Sequence, residues 1–565
     1  MTAVMPAQRP SHDCIVIGYY ESPFDKYEGL LRKYGEASEA YRDLRFSFVD
    51  IDGRKMTFPD LLNEVIRQSR PDRIFERETE LKSGEIPNLA AVYLTQFLAK
   101  RGLHCDYINL FEYEKDRLAE FLSRDPIAIA ITTTLYVVNM PVIEIVKFVR
   151  EHNKKVRIIV GGPLIANHAR NFETETFRTA VEDMGADIYV IEGAGELTLS
   201  QVVQCLKDGG DLAEIPNIAY SDNGKFVVTP RLLEQNSLDE NYIDWSQFDA
   251  AALGPTIQTR TARSCAFNCS FCNYPTRAGK LTLADIQTVE RELDSMRDLG
   301  GVSNVVFIDD TFNVPLPRFK DLCRMMIRNK YNFNWFSYFR CSNSDEEALD
   351  LMAESGCRGV FLGIESGSPQ ILTNMNKAAT IDKYRDGIRM LRERNIMTFG
   401  SFIVGFPGET EQTIAETESF IRETRVDYYR AQSWYCESGT PIDRQREKYG
   451  IKGEGFGWSH STMNSTEAMA HIEKLFLSIK ESLWLPQWSY DFWFVPYLLG
   501  RGIGLEQFRE FMVFGNKLLA LEIGNVPQRQ KALLQRQYMK KMREVARDWT
   551  LIGDHNPQAR AELSN

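Results

Sequence analysis

The chain has 565 residues, of which 43% are hydrophobic and 11% aromatic. This length and composition are typical of a globular protein with two or three domains and exclude a largely disordered chain. The formal net charge of −11 argues against non-specific binding to nucleic-acid phosphates. No signal peptide and no apolar run of about 18 residues is apparent, so we expect a cytoplasmic protein that does not bind membranes.

The first part of the chain alternates between short apolar runs and helical patterns. Strands are predicted where β-branched and other apolar residues form runs of about five. These runs lie at residues 14–18, 105–111, 127–131, 156–160 and 187–191. Strands that alternate with helices predict an α/β fold with a doubly wound parallel sheet, here a Rossmann-like domain at residues 13–210. Ligands of such sheets bind at the carboxyl ends of the strands.

The loops predicted at those carboxyl ends are rich in threonine and glycine. Glycine lets a ligand approach the backbone closely, and hydroxyl groups can bind amides or phosphates. Ordinary turn formation is the alternative explanation for the same residues. The candidate ligand contacts of this domain are Thr132, Thr133, Thr134, Leu135, Gly161, Gly162, Gly193, Gly195 and Glu196.

A second alternating pattern follows a predicted linker at residues 211–255, which contains a small hairpin at 218–230. Six strands are predicted at residues 256–263, 304–308, 333–340, 359–365, 398–404 and 428–435. With the helices between them they form a domain at residues 256–441, two strands short of a closed barrel of eight. Residues 442–565 lose the alternation and are predicted to form a mostly α-helical C-terminal domain. Its aromatic stretch at 484–497 either fills a core against the barrel mouth or lines a substrate pocket.

Three cysteines lie in the loop that leaves the first of these six strands. Cys265, Cys269 and Cys272 have the spacing C-x3-C-x2-C. Cubane iron–sulfur clusters normally take four cysteine thiolates, so three cysteines leave one iron open for another ligand. A zinc site would need a fourth Cys or His close by, whereas the next candidates are Cys323 and His460. A zinc site and buried structural cysteines are the alternatives to a cluster.

This cysteine motif resembles the signature of the radical S-adenosylmethionine (SAM) enzymes. In that family three cysteines hold a [4Fe–4S] cluster, and the amino and carboxylate groups of SAM occupy its open iron. One electron then splits SAM into methionine and a 5′-deoxyadenosyl radical. The resemblance implies a partial (β/α)6 barrel and an external electron donor of the flavodoxin or ferredoxin type.

The resemblance also implies SAM contacts at the ends of the barrel strands. The family places an aromatic residue beside adenine, groups that hold the SAM amino group after the second strand, and a glycine-containing segment at the fifth. An arginine suits the SAM carboxylate, and a carboxylate suits the ribose hydroxyls. The matching residues are Phe271, Asp309, Asp310, Arg340, Glu365, Ser366 and Gly405. Acidic turns and solvated arginines are common at strand ends, so each residue alone is a weak indicator.

The first domain resembles the cobalamin-binding domain of the cobalamin-dependent radical SAM enzymes. It precedes the cysteine motif directly, and its loops Thr-Thr-Thr, Gly-Gly-Pro and Glu-Gly-x-Gly-Glu follow in the same order. Many such domains carry Asp-x-His-x-x-Gly after the first strand, and its histidine ligates cobalt from below. Here the loop at 18–24 lacks histidine, and none follows before His104. We therefore predict that no histidine ligates the cobalt of a bound cobalamin.

Together the resemblances imply a methyltransferase in which methylcobalamin carries the methyl group and the SAM-derived radical activates a small-molecule or peptide substrate. The runs at 106–111, 128–136 and 160–163 are similar to those of the phosphinothricin-type P-methyltransferases, which methylate the phosphorus of an H-phosphinate. Carbon methylation of a biosynthetic intermediate is the second possibility. A rearrangement or cyclisation without methyl transfer, and a cobalamin-binding protein with a structural cluster, are the remaining alternatives.

Overall fold

The computed structural model describes residues 12–69, 80–136, 138–486, 488, 492–524 and 526–551. Residues 12–22 and 87–244 form one unit, and residues 23–86 and 245–551 form the other, as far as they are described. Parts of the predicted aromatic stretch (487 and 489–491) and the end of the predicted C-terminal domain (552–565) lie outside the described residues. None of the described helices is long and apolar enough to cross a membrane.

The sheet of the first unit has seven strands in the order β2-β1-β3-β4-β5-β6-β7. Their bounds are Cys14–Tyr19 (β1), Cys105–Leu110 (β2), Ala128–Thr132 (β3), Arg157–Gly161 (β4), Ile188–Val190 (β5), Ile218–Asp222 (β6) and Lys225–Val228 (β7). Strands β1 to β5 are parallel, and β6 and β7 are antiparallel to their neighbours. The five predicted strands are confirmed, and the predicted hairpin extends this sheet. The order of the first five strands places a topological switch point between β1 and β3.

Apolar side chains cover both faces of this sheet. Ile15 and Ile17 of β1 lie in one core, whereas Cys14 and Val16 lie in the other. Burial of both faces is typical of a parallel sheet between two layers of helices. The helices are Leu89–Ala99, Lys115–Ser123, Met140–His152, Pro163–Asn171, Thr174–Glu182 and Glu196–Asp208.

The second unit contains a parallel sheet of seven strands in sequence order. They are Thr256–Thr259 (β8), Asn304–Phe307 (β9), Asn334–Phe339 (β10), Cys357–Glu365 (β11), Met397–Val404 (β12), Tyr428–Ser433 (β13) and Leu483–Trp484 (β14). The six predicted strands are confirmed, although the first is shorter than expected. After it, Ala262–Arg263 pairs with Thr282–Leu283 in a separate two-stranded sheet. Because this pairing keeps Thr282 and Leu283 extended, the helix that follows begins at Ile286.

Helices connect the strands of this second sheet and continue beyond it. The helix Ala250–Leu253 precedes β8, and the described ones between the strands are Tyr274–Ala278, Ile286–Leu299, Leu316–Asn329, Glu346–Glu354, Pro369–Asn374, Ile381–Glu393, Glu411–Thr424, Arg446–Tyr449 and Ser465–Ser478. The C-terminal region adds Phe494–Gly500, Leu505–Ile523 and Gln528–Ala546, together with a small antiparallel sheet of Lys452–Glu454, Gly457–His460 and Met463–Asn464. The C-terminal region is thus mostly helical, as predicted.

Residues 23–86 interrupt the first unit in sequence but belong to the second. They contain the helices Phe24–Lys33, Glu39–Leu44 and Phe58–Ser69, and a hairpin of Phe48–Ile51 with Arg54–Thr57. Phe46 packs on Trp484, with ring centroids 4.7 Å apart, and Arg42 forms an ion pair with Glu473 at 3.0 Å. These contacts attach the segment to β14 and to the helix Ser465–Ser478.

The aromatic stretch of the C-terminal region packs against the amino-terminal halves of the barrel strands. The ring of Phe492 lies 6.0 Å from Phe336, 5.8 Å from Phe361 and 6.1 Å from Phe399, measured between centroids. Phe492 is 1% exposed, so it forms an apolar floor. The core-filling role predicted for this stretch is confirmed for Phe492, but at the floor rather than at the mouth where the strands end.

Candidate active site

The three cysteines lie in the loop that follows β8, at the carboxyl end of the second sheet. Cys269 is buried, while Cys265 and Cys272 are half-buried. The Sγ atom of Cys265 lies 3.2 Å from the Thr311 hydroxyl, and the backbone N–H of Tyr274 donates to Cys272 Sγ at 3.4 Å. Active sites of parallel barrels lie at this end of the strands.

Burial raises the pKa values of the Cys269 and Cys272 thiols. The positive charges of Lys377 and Arg340 act in the opposite direction on the pKa of Cys269. Within the described residues, no group of three His, Cys, Asp or Glu side chains is arranged to hold a single metal ion. In a cubane each cysteine binds a different iron, and the nearby cations favour the thiolate state that a cluster requires.

Arg340 follows β10 and lies over the aromatic ring of Phe267, with its guanidinium carbon 3.7 Å from the ring centroid. Its backbone is fixed by Asn313, whose amide oxygen accepts from the Arg340 N–H and whose amide nitrogen donates to the Arg340 carbonyl, both at 3.0 Å. Arg340 is 7% exposed, and its buried Nη2 atom has no hydrogen-bond partner among the described residues. A buried guanidinium N–H without a partner is suited to a carboxylate ligand.

Glu365 ends β11 in a strained backbone conformation. Its φ of +70° is rare for a non-glycine residue, and the pairing of β11 with β12 shifts register at this point. The carboxylate forms a 3.0 Å ion pair with Lys377, and both side chains are about one-tenth exposed or less. A side chain at Gly363 would collide with this carboxylate, because its Cβ atom would lie 2.7 Å from Glu365 Oε1.

Lys377 lies in a loop that is bonded to the cysteine loop. Ser270 donates through its N–H to Met375 O at 2.8 Å and through its hydroxyl to Asn374 O at 2.7 Å. The Lys377 ammonium lies 5.5 Å from the centroid of the Phe271 ring. Lys377 could not be recognised from the sequence, since one lysine in a polar loop carries no motif.

Phe271 and the two aspartates occupy different environments. The Phe271 ring lies edge-on to Phe406, with centroids 6.4 Å apart, in the segment that follows β12. The buried Asp309 carboxylate accepts hydrogen bonds from the backbone N–H groups of Thr261 and Ala262, and burial raises its pKa to about 6. Asp309 therefore fixes the turn after β8, whereas Asp310 is exposed.

Ser366 lies behind the ends of β11 and β12. Its hydroxyl is completely buried and lies 3.2 Å from the hydroxyl of Thr417. It also accepts from the Ser368 N–H at 3.1 Å. This side chain supports the Glu365 turn from within the protein.

Gly405 follows β12 with a φ of +89°, and a Cβ atom there would lie 2.3 Å from the Trp458 ring. Its N–H donates to the buried Glu409 carboxyl group, and its carbonyl oxygen accepts from Nε2 of His460 at 3.0 Å. The His460 ring stacks on Trp458. This packing fixes the glycine-containing segment in which the family resemblance implies a SAM contact.

Replacement of Glu409 by glutamine is expected to change how stability depends on pH. Burial raises the pKa of Glu409 to about 8, against 4.5 for an ordinary glutamate. Between these values the folded chain holds a proton that the unfolded chain releases, so stability falls as pH rises through this window. The slope from this group is at most about 1.4 kcal/mol per pH unit.

Thermal unfolding of the wild type and Glu409→Gln between pH 4 and pH 8 measures this effect. The glutamine variant should gain stability relative to the wild type as pH rises. The exposed Glu411 is the control, since its replacement by glutamine should leave the slope unchanged. A constant difference between wild type and Glu409→Gln across the range would contradict the expectation.

The candidate ligand loops of the first unit follow β3, β4 and β5. Thr133 is completely buried, and its hydroxyl donates to Gly161 O at 2.9 Å and accepts from the Leu164 N–H at 3.2 Å. Thr132 and Thr134 share a hydrogen bond of 2.8 Å between their hydroxyls. Thr133 thus joins two loops, whereas Leu135 is 63% exposed and accessible to a ligand.

The glycines of these loops place no side chain over the backbone. Gly162 has a φ of +105°, and a Cβ atom there would lie 2.9 Å from the Thr133 hydroxyl. A Cβ atom at Gly195 would lie 2.3 Å from Val190 Cγ1, while Gly193 is exposed. Glu196 accepts from the Asn236 side chain at 2.8 Å. These loops lie at the carboxyl ends of the parallel strands, where α/β sheets bind ligands.

Comparison with known proteins identifies the central region. The profile of the radical SAM superfamily matches residues 259–421. An uncharacterized methyltransferase of Pyrococcus horikoshii is 29% identical over 313 residues, which are 54% of this chain and 66% of that protein. The chain therefore spans slightly less than two thirds of that relative.

Two solved structures have the same fold over much of the chain. The methyltransferase TsrM from Kitasatospora setae, solved with tryptophan and a SAM analogue, is 20% identical, with a TM-score of 0.54 over 68% of this chain and 76% of TsrM. The cobalamin-dependent radical enzyme OxsB, solved with aqua-cobalamin and SAM, is 14% identical, with a TM-score of 0.56 over 89% of this chain and 83% of OxsB. Residues 259–421 are thus a radical SAM domain, and the chain that carries them is an enzyme with the α/β fold of TsrM and OxsB.

Proposed function

We propose that this enzyme is a cobalamin-dependent radical SAM methyltransferase that acts on a biosynthetic intermediate. The observation that carries the proposal is that one chain contains two parallel sheets, each with loops suited to a ligand at its carboxyl edge. The sheet of the second unit ends in the three-cysteine loop, which has two buried cations beside it. The sheet of the first unit has a flavodoxin-like strand order and ends in loops rich in glycine and threonine. The fold likeness to TsrM and OxsB supports the same combination.

In this proposal Cys265, Cys269 and Cys272 hold a [4Fe–4S] cluster. Arg340 binds the SAM carboxylate, because its buried Nη2 atom has no partner among the described residues. Glu365 accepts from the ribose, and Lys377 orients that carboxylate. The remaining SAM contacts are proposed at Phe271, Asp310 and Gly405, while Asp309 fixes the turn before the cysteines and Ser366 supports the Glu365 turn.

Cobalamin is proposed to bind the carboxyl edge of the first sheet. Gly162, Gly193 and Gly195 allow close approach to the backbone, and Thr134 and Leu135 are exposed on the neighbouring loop. Thr132, Thr133, Gly161 and Glu196 shape these loops through the contacts described above. When bound, the cofactors supply an electron, a 5′-deoxyadenosyl radical and a methyl group; the protein supplies their position and the exclusion of water.

The substrate is proposed to be an H-phosphinate methylated at phosphorus, with methylation of an unactivated carbon as the alternative. An external flavodoxin- or ferredoxin-type protein would supply electrons, and the cytoplasm is the proposed compartment because it keeps the cysteines reduced. Anaerobic incubation with methylcobalamin, SAM and H-phosphinate or carbon substrates tests the proposal. Mass spectrometry should detect S-adenosylhomocysteine, 5′-deoxyadenosine and a product that has gained one methyl group. Failure to consume SAM under strong reductant would refute the proposal.

The cob(II)alamin form is expected to show no nitrogen ligand from the protein. His12 and His104 stack on each other just before β1 and β2, at the amino edge of the sheet. Nε2 of His168 is bonded to the Asn139 side chain at 3.0 Å, and His152 bonds the Phe148 carbonyl in its own helix. Electron paramagnetic resonance of the cob(II)alamin enzyme should therefore lack nitrogen superhyperfine splitting. Splitting that disappears in His168→Ala would identify a histidine ligand and contradict the prediction.

A further inference from the structure

The inner face of the second sheet carries a polar group on β12 and β13. The outer face packs on helices: Phe402 contacts Phe420 with centroids 6.3 Å apart, and the Tyr429 hydroxyl donates to Leu475 O at 3.4 Å. Because side chains alternate along a strand, Ser401 and Arg430 point to the opposite, inner face. They are direct neighbours, since Ser401 pairs with Arg430 across the two strands.

The apolar floor confirms this assignment of faces. Phe399 contacts Phe492 in the floor and lies two residues before Ser401 on β12. Ser401 and Arg430 therefore stand about 7 Å above the floor, toward the carboxyl ends of the strands. Gln432 lies one further step in the same direction, where it pairs with Ile403.

Two of these polar groups, on Ser401 and Gln432, are available for a ligand. The Ser401 hydroxyl and the half-buried Gln432 amide form no hydrogen bond with any residue in the described part of the chain. Arg430 is half-buried, and its charge opposes the rise in the pKa of Asp43 that burial causes. A guanidinium group has five N–H donors and can bind a carboxylate and a second oxyanion at once.

Arg430 is separate from the cation proposed for SAM. Arg340 follows Phe339, the partner of Leu362, and the next residue on β11, Gly363, pairs with Ser401. Three strand spacings, or about 14 Å along the sheet, therefore separate Arg340 from Arg430. The inner face thus carries two arginines at separate positions.

We infer that Arg430, with Ser401 and Gln432, binds an oxyanion of the substrate, and that the substrate is a small organic phosphinate or carboxylate whose carbon chain points to the phenylalanine floor. This inference rests on the proposed function, because it takes the inner face of the barrel as the place where substrate binds. Arg430 is a specificity-determining residue in this account. Bidentate bonds from a guanidinium group favour a phosphinate or carboxylate over a neutral group of the same shape.

Anaerobic calorimetric titration of the reconstituted enzyme tests the inference without turnover. The probes are butylphosphinate and its neutral methyl ester, and pentanoate and its neutral amide. The wild type should bind at least one anion about tenfold or more tightly than its neutral partner. Arg430→Met should raise the Kd of that anion about 10- to 100-fold and leave the neutral partner unchanged. The tighter anion shows whether phosphinate or carboxylate is preferred.

Three further variants keep the test independent of folding. Asp43→Asn combined with Arg430→Met removes the half-buried Asp43 carboxylate together with the Arg430 cation. Gln432→Leu should raise the Kd about 2- to 10-fold. Arg358→Met is the control, because Arg358 is exposed on β11 and bonds Asn334 at 2.7 Å. SAM affinity and iron content should be unchanged in all of them.

Equal binding of the anions and their neutral partners by the wild type, or binding of neither, would overturn the inference. An equal loss of binding in Arg358→Met, or unchanged affinity in the Arg430 and Gln432 variants, would also overturn it. Methyl transfer is not measured in these titrations. Anion binding that depends on Arg430, in an enzyme that transfers no methyl group, would refute the proposed function while leaving the anion site intact.

Discussion

Replacement of Cys265, Cys269 or Cys272 by alanine is expected to remove the iron–sulfur cluster. Anaerobically reconstituted wild type should hold about four iron atoms per chain, and each variant should hold less than about one. Since SAM can be cleaved only by an electron from the cluster, formation of 5′-deoxyadenosine should fall to background. Iron analysis, visible absorption and mass spectrometry measure these three losses.

Cys205 provides the matched control. It is a half-buried cysteine in the helix Glu196–Asp208 of the first unit. Cys205→Ala should keep the iron, the brown colour and SAM cleavage of the wild type. The cluster assignment is wrong if the triple alanine variant retains a cubane.

Among single substitutions that remove one partner of an ion pair, replacement of Lys377 by methionine is expected to lower stability most. The change leaves the Glu365 carboxylate buried without its ammonium partner. Removing one member of a buried ion pair costs about 3–5 kcal/mol. The midpoint of thermal unfolding should fall accordingly, and SAM affinity should weaken because the carboxylate that we propose to bind the ribose loses its orientation.

A double-mutant cycle separates the ion pair from the loss of lysine packing. Lys377→Met combined with Glu365→Gln should recover part of the lost stability, because no buried charge remains. Lys320→Met is the control, since Lys320 pairs with the half-exposed Asp345 and Glu347 and its loss should cost much less. A loss in Lys377→Met no larger than in Lys320→Met would show that the pair does not stabilise this turn.

The strands of both sheets could be predicted because each buried strand is a short apolar run. Val16 and Ile17, for example, face opposite cores, so the whole run must be apolar. The cysteine loop could be predicted because its three ligands are close in sequence. The order of strands and loops along the chain then placed Arg340 and Glu365 at strand ends.

The rest of the site depends on contacts between distant residues. Residues 23–86 have no clear pattern of their own, and their place in the second unit depends on contacts such as Arg42 with Glu473. Lys377 reaches Glu365 only because its loop is bonded to Ser270, more than a hundred residues earlier. Asp309 and Thr133 are the opposite case. In the sequence both look like ligand contacts, but in the structure their side chains bond neighbouring loops.

We propose that the three cysteines hold a cluster with one open iron that binds SAM. Electron paramagnetic resonance of the dithionite-reduced enzyme, recorded before and after SAM is added, tests it most directly. Binding of SAM to the open iron should change the g values of the reduced cluster, and SAM labelled with nitrogen-15 at its amino group should show coupling to it. A cluster signal that SAM leaves unchanged would contradict the account.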